Sequence, residues 1–246
     1  MGESKDDTFC KKMRAATREI HAVSDALVNA KLAFGLQDDK VWADGLLVFY
    51  DIFKYLEQTM PGIIKKYEID NLISPEMERT KAFEEDLNYY LGNEWNKNHS
   101  SRESVKSYLA HLKAVESTKP ILLLAYVYHL YMGLLSGGII LRKKRQIIQK
   151  ISPFKSTDKL EGNRVTDFGK NSIYQLKENF RSRMNDLAEG LDDETKGQLI
   201  EESKVVFVMN NQIIRSVRGA SAVMMRKIIY VVTIFLVLVL YFIFKR

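Results

Sequence analysis

Residues 128–138, with the sequence YHLYMGLLSGG, place three glycines inside a segment that otherwise has the composition of a buried helix. Glycine in a helix interior costs roughly 0.5–1 kcal/mol relative to alanine, because it loses more backbone freedom on folding. Three glycines within six positions therefore indicate that something lies against the backbone where a side chain would otherwise stand. That neighbour is either a second helix or a flat ligand.

Two structural alternatives for these glycines do not involve a ligand. The spacing of Gly133 and Gly137 suits the close packing of two helices, and Gly137 with Gly138 could end the helix as a C-cap. Residues 139–141 continue the apolar pattern, however, so we expect one helix that bends at the glycines. A bent helix with bare backbone suits the face of a planar ligand.

The rest of the chain predicts an all-α fold, since it has only four prolines and no useful alternating strand pattern. We expect a first helix from Asp6 or Asp7 to about Lys31. Its buried stripe is predicted to be Ala16, Ile20, Val23 and Leu27.

Capping residues predict where further helices begin. Asp38 opens a second helix that Pro61 ends or bends, and Ser74 with Pro75 opens a third that reaches Leu91. The remaining predicted helices cover residues 104–117, 119–151, 172–189 and 193–214, with residues 152–170 as a surface loop.

Composition excludes several classes of protein. A single cysteine, Cys10, rules out an intramolecular disulfide and fits a reducing compartment. The net charge of +6 comes without an array of basic residues and aromatics, so we expect no nucleic-acid partner. The chain lacks both the G-x-G-x-x-G motif after a strand and the P-loop, which argues against standard nucleotide binding.

Residues 228–244 are seventeen uncharged, mostly apolar positions flanked by basic residues on both sides. As a helix they span about 25 Å, at the short end for a membrane crossing. Because only two residues follow and the N-terminus resembles no secretory signal, we expect a tail anchor in the endoplasmic reticulum membrane with the domain in the cytosol. The predicted organisation is a domain at 1–214, a basic juxtamembrane linker at 215–227 and the anchor at 228–244.

His21 has neighbours that suit a metal ligand. On a helix, Asp25 lies one turn later and can accept a hydrogen bond from one imidazole nitrogen, leaving the other for a metal. Arg14 lies two turns earlier, about 10 Å along the axis. The alternative is a solvated helix face carrying ordinary polar groups. His99 and His111 are predicted to be surface residues.

A second group of side chains could bind carboxylates. Lys177 and Arg181 form a basic pair one turn apart, and Tyr128 stands on the glycine-bearing helix. Surface charge or core packing would explain each of them separately.

Several segments, in order, resemble the haem oxygenase family over about residues 9–212. They are ATREIH (16–21), YDIFKYLE (50–57), TKPILLLAYVYHLYMGLLSGG (118–138), FRSRMN (180–185) and IEESKVVF (200–207). The C-terminal anchor is similar to that of the membrane-bound members.

The resemblance implies a helical fold that holds haem between a proximal helix carrying His21 and a distal helix bent at the glycines. It makes His21 the axial ligand of the haem iron, with Asp25 beside it, and lays Gly133 and Gly137 over the ring. It assigns the haem propionates to Arg14, Tyr128, Lys177 and Arg181.

The resemblance also implies the reaction, in which haem is both cofactor and substrate. Family members cleave haem with O2 to biliverdin, carbon monoxide and ferrous iron. Electrons come from NADPH through NADPH-cytochrome P450 reductase on the same membrane, and a biliverdin reductase is an expected downstream partner. The basic run 142–145 could dock an acidic flavoprotein, although a solvated helix end explains it equally.

Two positions depart from the family pattern. The family sequence G-D-L-S-G-G has become G-L-L-S-G-G, so Leu134 replaces the acidic residue whose water network directs oxygen onto one ring edge. Leucine can neither hydrogen-bond nor hold water, which predicts slower or less regioselective cleavage. Asp25 replaces a glutamate and is shorter by one methylene.

Two other functions are compatible with the same residues. One is a haem-binding or haem-sensing protein with little turnover. The other is an α-helical membrane adaptor in which the glycines pack helices and no haem binds.

Overall fold

The computed structural model describes residues 8–35, 38–69, 72–151 and 161–245, and within these ranges it is helical, with no strand. The predicted all-α class is therefore confirmed. The α-helices are α1 (Phe9–Ala16), α2 (Arg18–Gly35), α3 (Asp39–Tyr67), α4 (Thr80–Leu91), α5 (Glu103–Thr118), α6 (Leu123–Gly133), α7 (Ile139–Ile151), α8 (Ile173–Glu189), α9 (Asp193–Arg215) and α10 (Ala220–Phe244). Short 3₁₀ turns lie at Pro75–Met77, Trp95–Asn98, Pro120–Leu122 and Arg164–Thr166.

The predicted first helix is in fact two helices, α1 and α2, separated at Thr17. The Thr17 hydroxyl donates to the carbonyl oxygens of Met13 and Arg14, at 2.9 and 3.3 Å, and so competes with the helical hydrogen bonds there. The predicted caps Asp6 and Asp7 lie outside the described residues.

The predicted buried stripe of this region is wrong. Ala16 and Val23 are exposed, while Ile20 and Leu27 are only partly buried. The side chains that α1 and α2 bury instead are Phe9, Cys10, Met13, Thr17 and Ser24. The buried and partly buried positions 10, 13, 17, 20, 24 and 27 follow one helical repeat through Thr17, so the predicted stripe lay one residue away on a neighbouring face.

Helix α3 begins where its cap predicts. The Asp38 carboxylate accepts hydrogen bonds from the backbone N–H groups of Lys40 and Val41, at 3.0 and 3.3 Å. Pro61 does not end this helix, which continues to Tyr67. The apolar side chains of Trp42, Leu46, Phe53 and Leu56 on α3 are buried, with Leu56 fully enclosed.

The predicted third helix starts later than its sequence signal. Ser74 and Pro75 open only a 3₁₀ turn, and α4 begins at Thr80. Glu57 of α3 provides the missing cap, because its carboxylate accepts from the backbone N–H of Thr80 at 3.0 Å. The Tyr131 hydroxyl donates to the same carboxylate at 2.6 Å, which joins α3, α4 and α6.

Helix α6 lies at the centre of the fold, and residues 123–128 are all buried. Helix α9 packs against both α2 and α6, while α3 packs against α4 and α5. Helix α9 thus forms the wall between the helix that carries His21 and the helix that leads into the glycines.

The short connection 216–219 between α9 and α10 is held to the domain by polar contacts. The Arg102 guanidinium pairs with the Asp44 carboxylate and donates to the backbone carbonyl of Ser216. The Asp44 carboxylate also accepts from the backbone N–H of Arg218 at 2.6 Å. Much of the predicted linker 215–227 is helical, since α10 begins at Ala220.

Two further features fix the same connection. The Lys31 ammonium donates to the carbonyl oxygens of Arg215 and Val217, each at 3.1 Å. Gly219 has a φ of +84°, and a Cβ at this position would lie 2.9 Å from a Val41 methyl. Only glycine satisfies both conditions without strain.

Helix α10 leaves the domain after its first turns. Every described side chain from Ile228 to Phe244 is exposed, all round the helix. Pro120–Ile147 is the described helical stretch long and apolar enough to cross a membrane by length and composition, but half of its most apolar window is buried in the domain. A shorter apolar helical stretch is Ile228–Leu238.

Candidate functional site

His21 and Asp25 form a pair one turn apart on α2. The imidazole Nδ1 lies 3.1 Å from the Asp25 carboxylate, with 53% of the histidine side chain and 66% of the aspartate side chain exposed. An imidazole whose Nδ1–H donates to a carboxylate presents Nε2 as its lone-pair nitrogen. Nε2 of His21 can therefore coordinate a metal ion, whether that ion comes from solution or is part of a larger ligand.

Phe207 of α9 lies between two imidazoles. Its ring centroid is 5.1 Å from that of His21 on α2 and 5.0 Å from that of His129 on α6. Phe207 therefore contacts one histidine from each of two helices. We refer to the region bounded by these rings and the glycine-bearing face of the distal helix as the cleft.

Gly133 and Gly137 lie on an open face of the chain. A Cβ built on either residue meets no atom within 4 Å among the described residues, and both positions are exposed. Helix packing would place a neighbour there, so this result argues against the helix-packing alternative. Gly138 differs, since its Cβ would meet the side chains of Leu134 and Thr166.

The glycines bend the helix without ending it. Residues Leu134–Gly138 form one π-helical turn between α6 and α7. Gly137 and Gly138 do not adopt the positive φ of a C-cap. The predicted bend is therefore confirmed, and its physical form is the extra residue of a π turn, a common feature of functional sites.

Tyr128 lies near Arg181, Cys10 and Phe180. Its hydroxyl interacts electrostatically with Arg181 and the Cys10 thiol, and its ring stacks on that of Phe180 at a centroid distance of 5.7 Å. Burial is the main cause of the raised pKa of Tyr128, with the Cys10 thiol a smaller one. Burial also raises the pKa of the Cys10 thiol to about 11.

Arg14 and Lys177 lie on the two helices beside this corner. Arg14 is exposed on α1, Lys177 is half-buried one turn before Arg181 on α8, and α1 packs against α8. Arg181 also pairs with Glu178. The structure thus brings Tyr128 and Arg181 into contact and leaves Arg14 and Lys177 on neighbouring surfaces.

His129 and Phe207 were not among the residues predicted to form the site. His129 follows Tyr128 directly and stands one turn before Gly133, which puts it on the same face of α6 as the glycines. This spacing is the sequence signal that could have identified His129. No comparable signal exists for Phe207, because an apolar residue on α9 is indistinguishable from a core residue in the sequence.

The basic run 142–145 is not the surface patch that docking would require. Arg145 is fully buried, with its guanidinium 4.9 Å from the Trp42 ring centroid and paired with Asp39. Arg142 is half-buried and donates to the Thr166 carbonyl at 3.1 Å. Two of the four basic residues therefore hold α7 against the domain.

The predicted surface histidines are also partly enclosed. His99 pairs with Asp51 at 2.9 Å and has 19% of its side chain exposed. His111 pairs with Glu202 at 2.7 Å and has 31% exposed. Both carboxylates come from elements distant in the sequence, so the sequence could not show these contacts.

The geometry defines a class of protein, an all-α domain with an exposed histidine paired to a carboxylate and an open, glycine-bearing stretch of helix backbone. Comparisons agree, since the sequence profile described as Heme oxygenase matches residues 7–216. The chain belongs to the haem oxygenase family. Haem is thus both its cofactor and its substrate, cleaved to biliverdin with O2 and electrons from a reductase.

Individual relatives share the family name. Heme oxygenase 1 of Gallus gallus is 28% identical over 222 residues, which cover 88% of this chain and 72% of the relative. The heme oxygenase of Rhodella violacea is 26% identical over 219 residues, with coverages of 87% and 88%.

Solved structures share the fold. Heme oxygenase 2 from Chlamydomonas reinhardtii, solved without heme, superposes with a TM-score of 0.76 at 28% identity, over 86% of this chain and 98% of that one. Heme oxygenase-1 from Synechocystis, in complex with heme, superposes with a TM-score of 0.76 at 22% identity, over 92% and 99%. The second likeness concerns the fold alone.

The residues of the cleft fit a haem group. The open face at Gly133 and Gly137 leaves room for a flat ring, and His21 offers Nε2 to a metal. His129 adds a buried Nε2 that has no hydrogen-bond partner within the described part of the chain. A buried nitrogen without a hydrogen-bond partner is a group that a bound ligand can satisfy.

Proposed function

We propose that His21 binds the haem iron through Nε2, with Asp25 holding Nδ1–H and orienting the ring. The observation that carries the proposal is the 3.1 Å contact between Nδ1 and the Asp25 carboxylate on an otherwise exposed imidazole. A carboxylate on the far nitrogen fixes the tautomer and makes the near nitrogen more basic. Haem supplies the iron and the ring carbons at which O2 reacts.

The haem propionates are proposed to bind at the corner formed by α1, α6 and α8. Arg181 and the Tyr128 hydroxyl already contact each other there, and Lys177 and Arg14 add positive charge from α8 and α1. A guanidinium can hold a carboxylate with two parallel hydrogen bonds, whereas a lysine acts as a point charge. Haem binding would require Arg181 to exchange its pairing with Glu178 for a propionate.

Gly133 and Gly137 are proposed to lie directly over the ring. Their open face lets the backbone approach the ring closely, and the π turn lets both glycines face the cleft.

Reduced regioselectivity is proposed to follow from Leu134. Its side chain packs toward Gly138 and the core, since a Cβ on Gly138 would lie 3.0 Å from a Leu134 methyl. A leucine in this position offers no acceptor or donor to a water molecule. The chain therefore lacks at this position the polar group that would direct oxygen to a single ring edge.

NADPH-cytochrome P450 reductase is the proposed electron donor. Helix α10 would anchor this chain in the same membrane as the reductase, that of the endoplasmic reticulum. The all-round exposure of apolar side chains on α10 supports membrane insertion. A cytosolic domain would release biliverdin where a biliverdin reductase can consume it.

Anaerobic haem titration of the full chain, followed by turnover with NADPH and the reductase, tests this function. We expect a Soret band that disappears under O2, with mixed biliverdin isomers on chromatography. His21→Ala should change the iron spectrum and abolish turnover. Haem that remains intact would make the chain a haem-binding protein, and a single isomer from the wild-type chain would refute the role of Leu134.

Leu134→Asp provides the corresponding gain of selectivity. We expect it to narrow the isomer distribution, because a carboxylate can hold water beside the ring. The control is Leu134→Met, which keeps an apolar side chain and should leave the isomer distribution unchanged. Leu135→Ala would be a poor control, because Leu135 is buried in the core.

A further inference from the structure

His129 has an unexplained environment. Its ring is half-buried on α6, yet Nε2 has no solvent contact and no hydrogen-bond partner within the described residues. An unsatisfied buried polar atom costs about 1–3 kcal/mol, so native proteins retain few of them without a reason. The fold alone offers no reason, because an apolar residue would pack equally well against Phe207.

The position of His129 relates it to the cleft. It stands four residues before Gly133, which in turn stands four residues before Gly137, so the three residues follow one another along one face of the distal helix. Gly133 and Gly137 open onto empty space. The imidazole is therefore the side chain next to the bare backbone over which haem is proposed to lie.

His129 also lies near His21. Both rings lie against Phe207, so their centroids are within about 10 Å of each other although they stand on different helices. A neutral imidazole has one N–H to donate.

We propose that His129 is the polar side chain of the distal side, hydrogen-bonding through Nε2 to the small ligand that haem iron holds opposite His21. This inference rests on the proposed binding of haem by His21. It gives the cleft a distal donor even though Leu134 offers none. His129 would then influence the reaction through a hydrogen bond to the sixth ligand of the iron.

Carbon monoxide on the ferrous haem complex is a direct probe of this hydrogen bond. A distal N–H lowers the C–O stretching frequency, which infrared spectroscopy reads without any turnover. We expect His129→Leu to raise this frequency and His129→Gln, which keeps an N–H, to stay near the wild type. His99→Gln is the matched control, because that imidazole pairs with Asp51 outside the cleft and should leave the band unchanged.

Fluoride binding to the ferric haem complex gives a second measurement. Fluoride is a strong acceptor, so loss of the donor in His129→Leu should raise its Kd roughly fivefold, the equivalent of one hydrogen bond of about 1 kcal/mol. Circular dichroism of the haem-free variants checks their folding. Should leucine prove too large for the site, His129→Ala removes the same group without adding volume.

Each outcome bears on the inference. An unchanged C–O frequency and fluoride affinity in His129→Leu and His129→Ala would overturn it while leaving haem binding by His21 intact. A low-spin ferric spectrum of two-imidazole ligation that is lost in His129→Leu would also overturn it, since His129 would then be a ligand itself. Failure of the wild-type chain to bind haem would refute the proposed function and this inference together.

Discussion

The Asp25 carboxylate lies 3.1 Å from Nδ1 of His21, one helical turn away on α2. Both side chains are more than half exposed, so the contact contributes little to the stability of the haem-free fold. Its consequence is chemical, because a carboxylate that accepts from Nδ1–H leaves Nε2 as the lone-pair nitrogen.

Asp25→Ala should weaken haem binding more than it weakens the fold. We expect roughly a tenfold rise in the haem Kd, in the range typical of removing a carboxylate behind a ligating imidazole, with the unfolding free energy nearly unchanged. Soret titration and thermal unfolding measure the two quantities. Glu19→Ala, another exposed carboxylate on α2, is the control; equal haem affinities in both variants would contradict the assigned role.

Replacing Gly133 or Gly137 with alanine should raise the stability of the haem-free protein but weaken haem binding. A methyl group meets nothing within 4 Å at either position, so each variant should gain about 0.5–1 kcal/mol of haem-free stability from helix propensity. The same methyl would project into the space proposed for haem. We expect the haem Kd to rise roughly tenfold, in keeping with the 1–3 kcal/mol that overpacking costs.

Gly45→Ala is the matched control for these two variants. Gly45 lies inside α3 and its Cβ would also meet no atom within 4 Å. Denaturant unfolding should show a similar gain in stability, while the haem titration should match that of the wild type. Unchanged haem affinity in both distal variants would show that the open face does not contact the ring.

Asp86 should raise the free energy of unfolding as the pH falls, which is opposite to the usual effect of a carboxylate. Burial raises its pKa from 3.8 to about 6, against the opposing effect of the backbone N–H groups of Val165 and Arg164. The folded state then binds a proton between about pH 6 and 4 that the unfolded chain does not bind. This side chain therefore favours the folded state increasingly as the pH falls through that window.

Asp86→Asn isolates the effect, because asparagine does not titrate. The difference in unfolding free energy between the wild type and this variant should move in favour of the wild type by roughly 1–2 kcal/mol from pH 7.5 to 4.5, at about 1.4 kcal/mol per pKa unit. The lost hydrogen bonds to residues 164 and 165 add an offset that does not vary with pH. A difference that stays constant, or moves the other way, would show that the carboxyl ionises normally.

Gly219→Ala should loosen the joint between the domain and α10. Its φ of +84° and the nearby Val41 methyl both exclude a Cβ, so the connection must shift. We expect faster tryptic cleavage after Arg218, measured by mass spectrometry. Gly92→Ala is the control, since Gly92 has a φ of +85° with open space around it; cleavage at Arg218 should not change there.

Several parts of the fold follow from local signals in the sequence. Asp38, Ser172 and Asp192 cap helices with their own side chains, and the apolar run after Lys119 does continue through the glycines. Caps and helical repeats act within a few residues, so a sequence carries them fully. The family likewise follows from the ordered segments that the sequence shares with its relatives.

Other features depend on partners distant in the chain. Glu57 of α3 replaces the expected cap of α4 from another helix. Arg145 looks like a surface cation in the sequence but is buried against Trp42 and Asp39. No local pattern reports these contacts, because they form only when elements pack.

By itself the sequence determined the helical class, the bend at the glycines, the apolar segment 228–244 and the spacing of His21 and Asp25. The tertiary structure decided which residues surround them. It left Gly133 and Gly137 open, placed Phe207 against both His21 and His129, and brought Tyr128 close to Arg181. The reason is physical. Helix periodicity arises from hydrogen bonds within one segment, whereas a cleft arises only when three helices pack together.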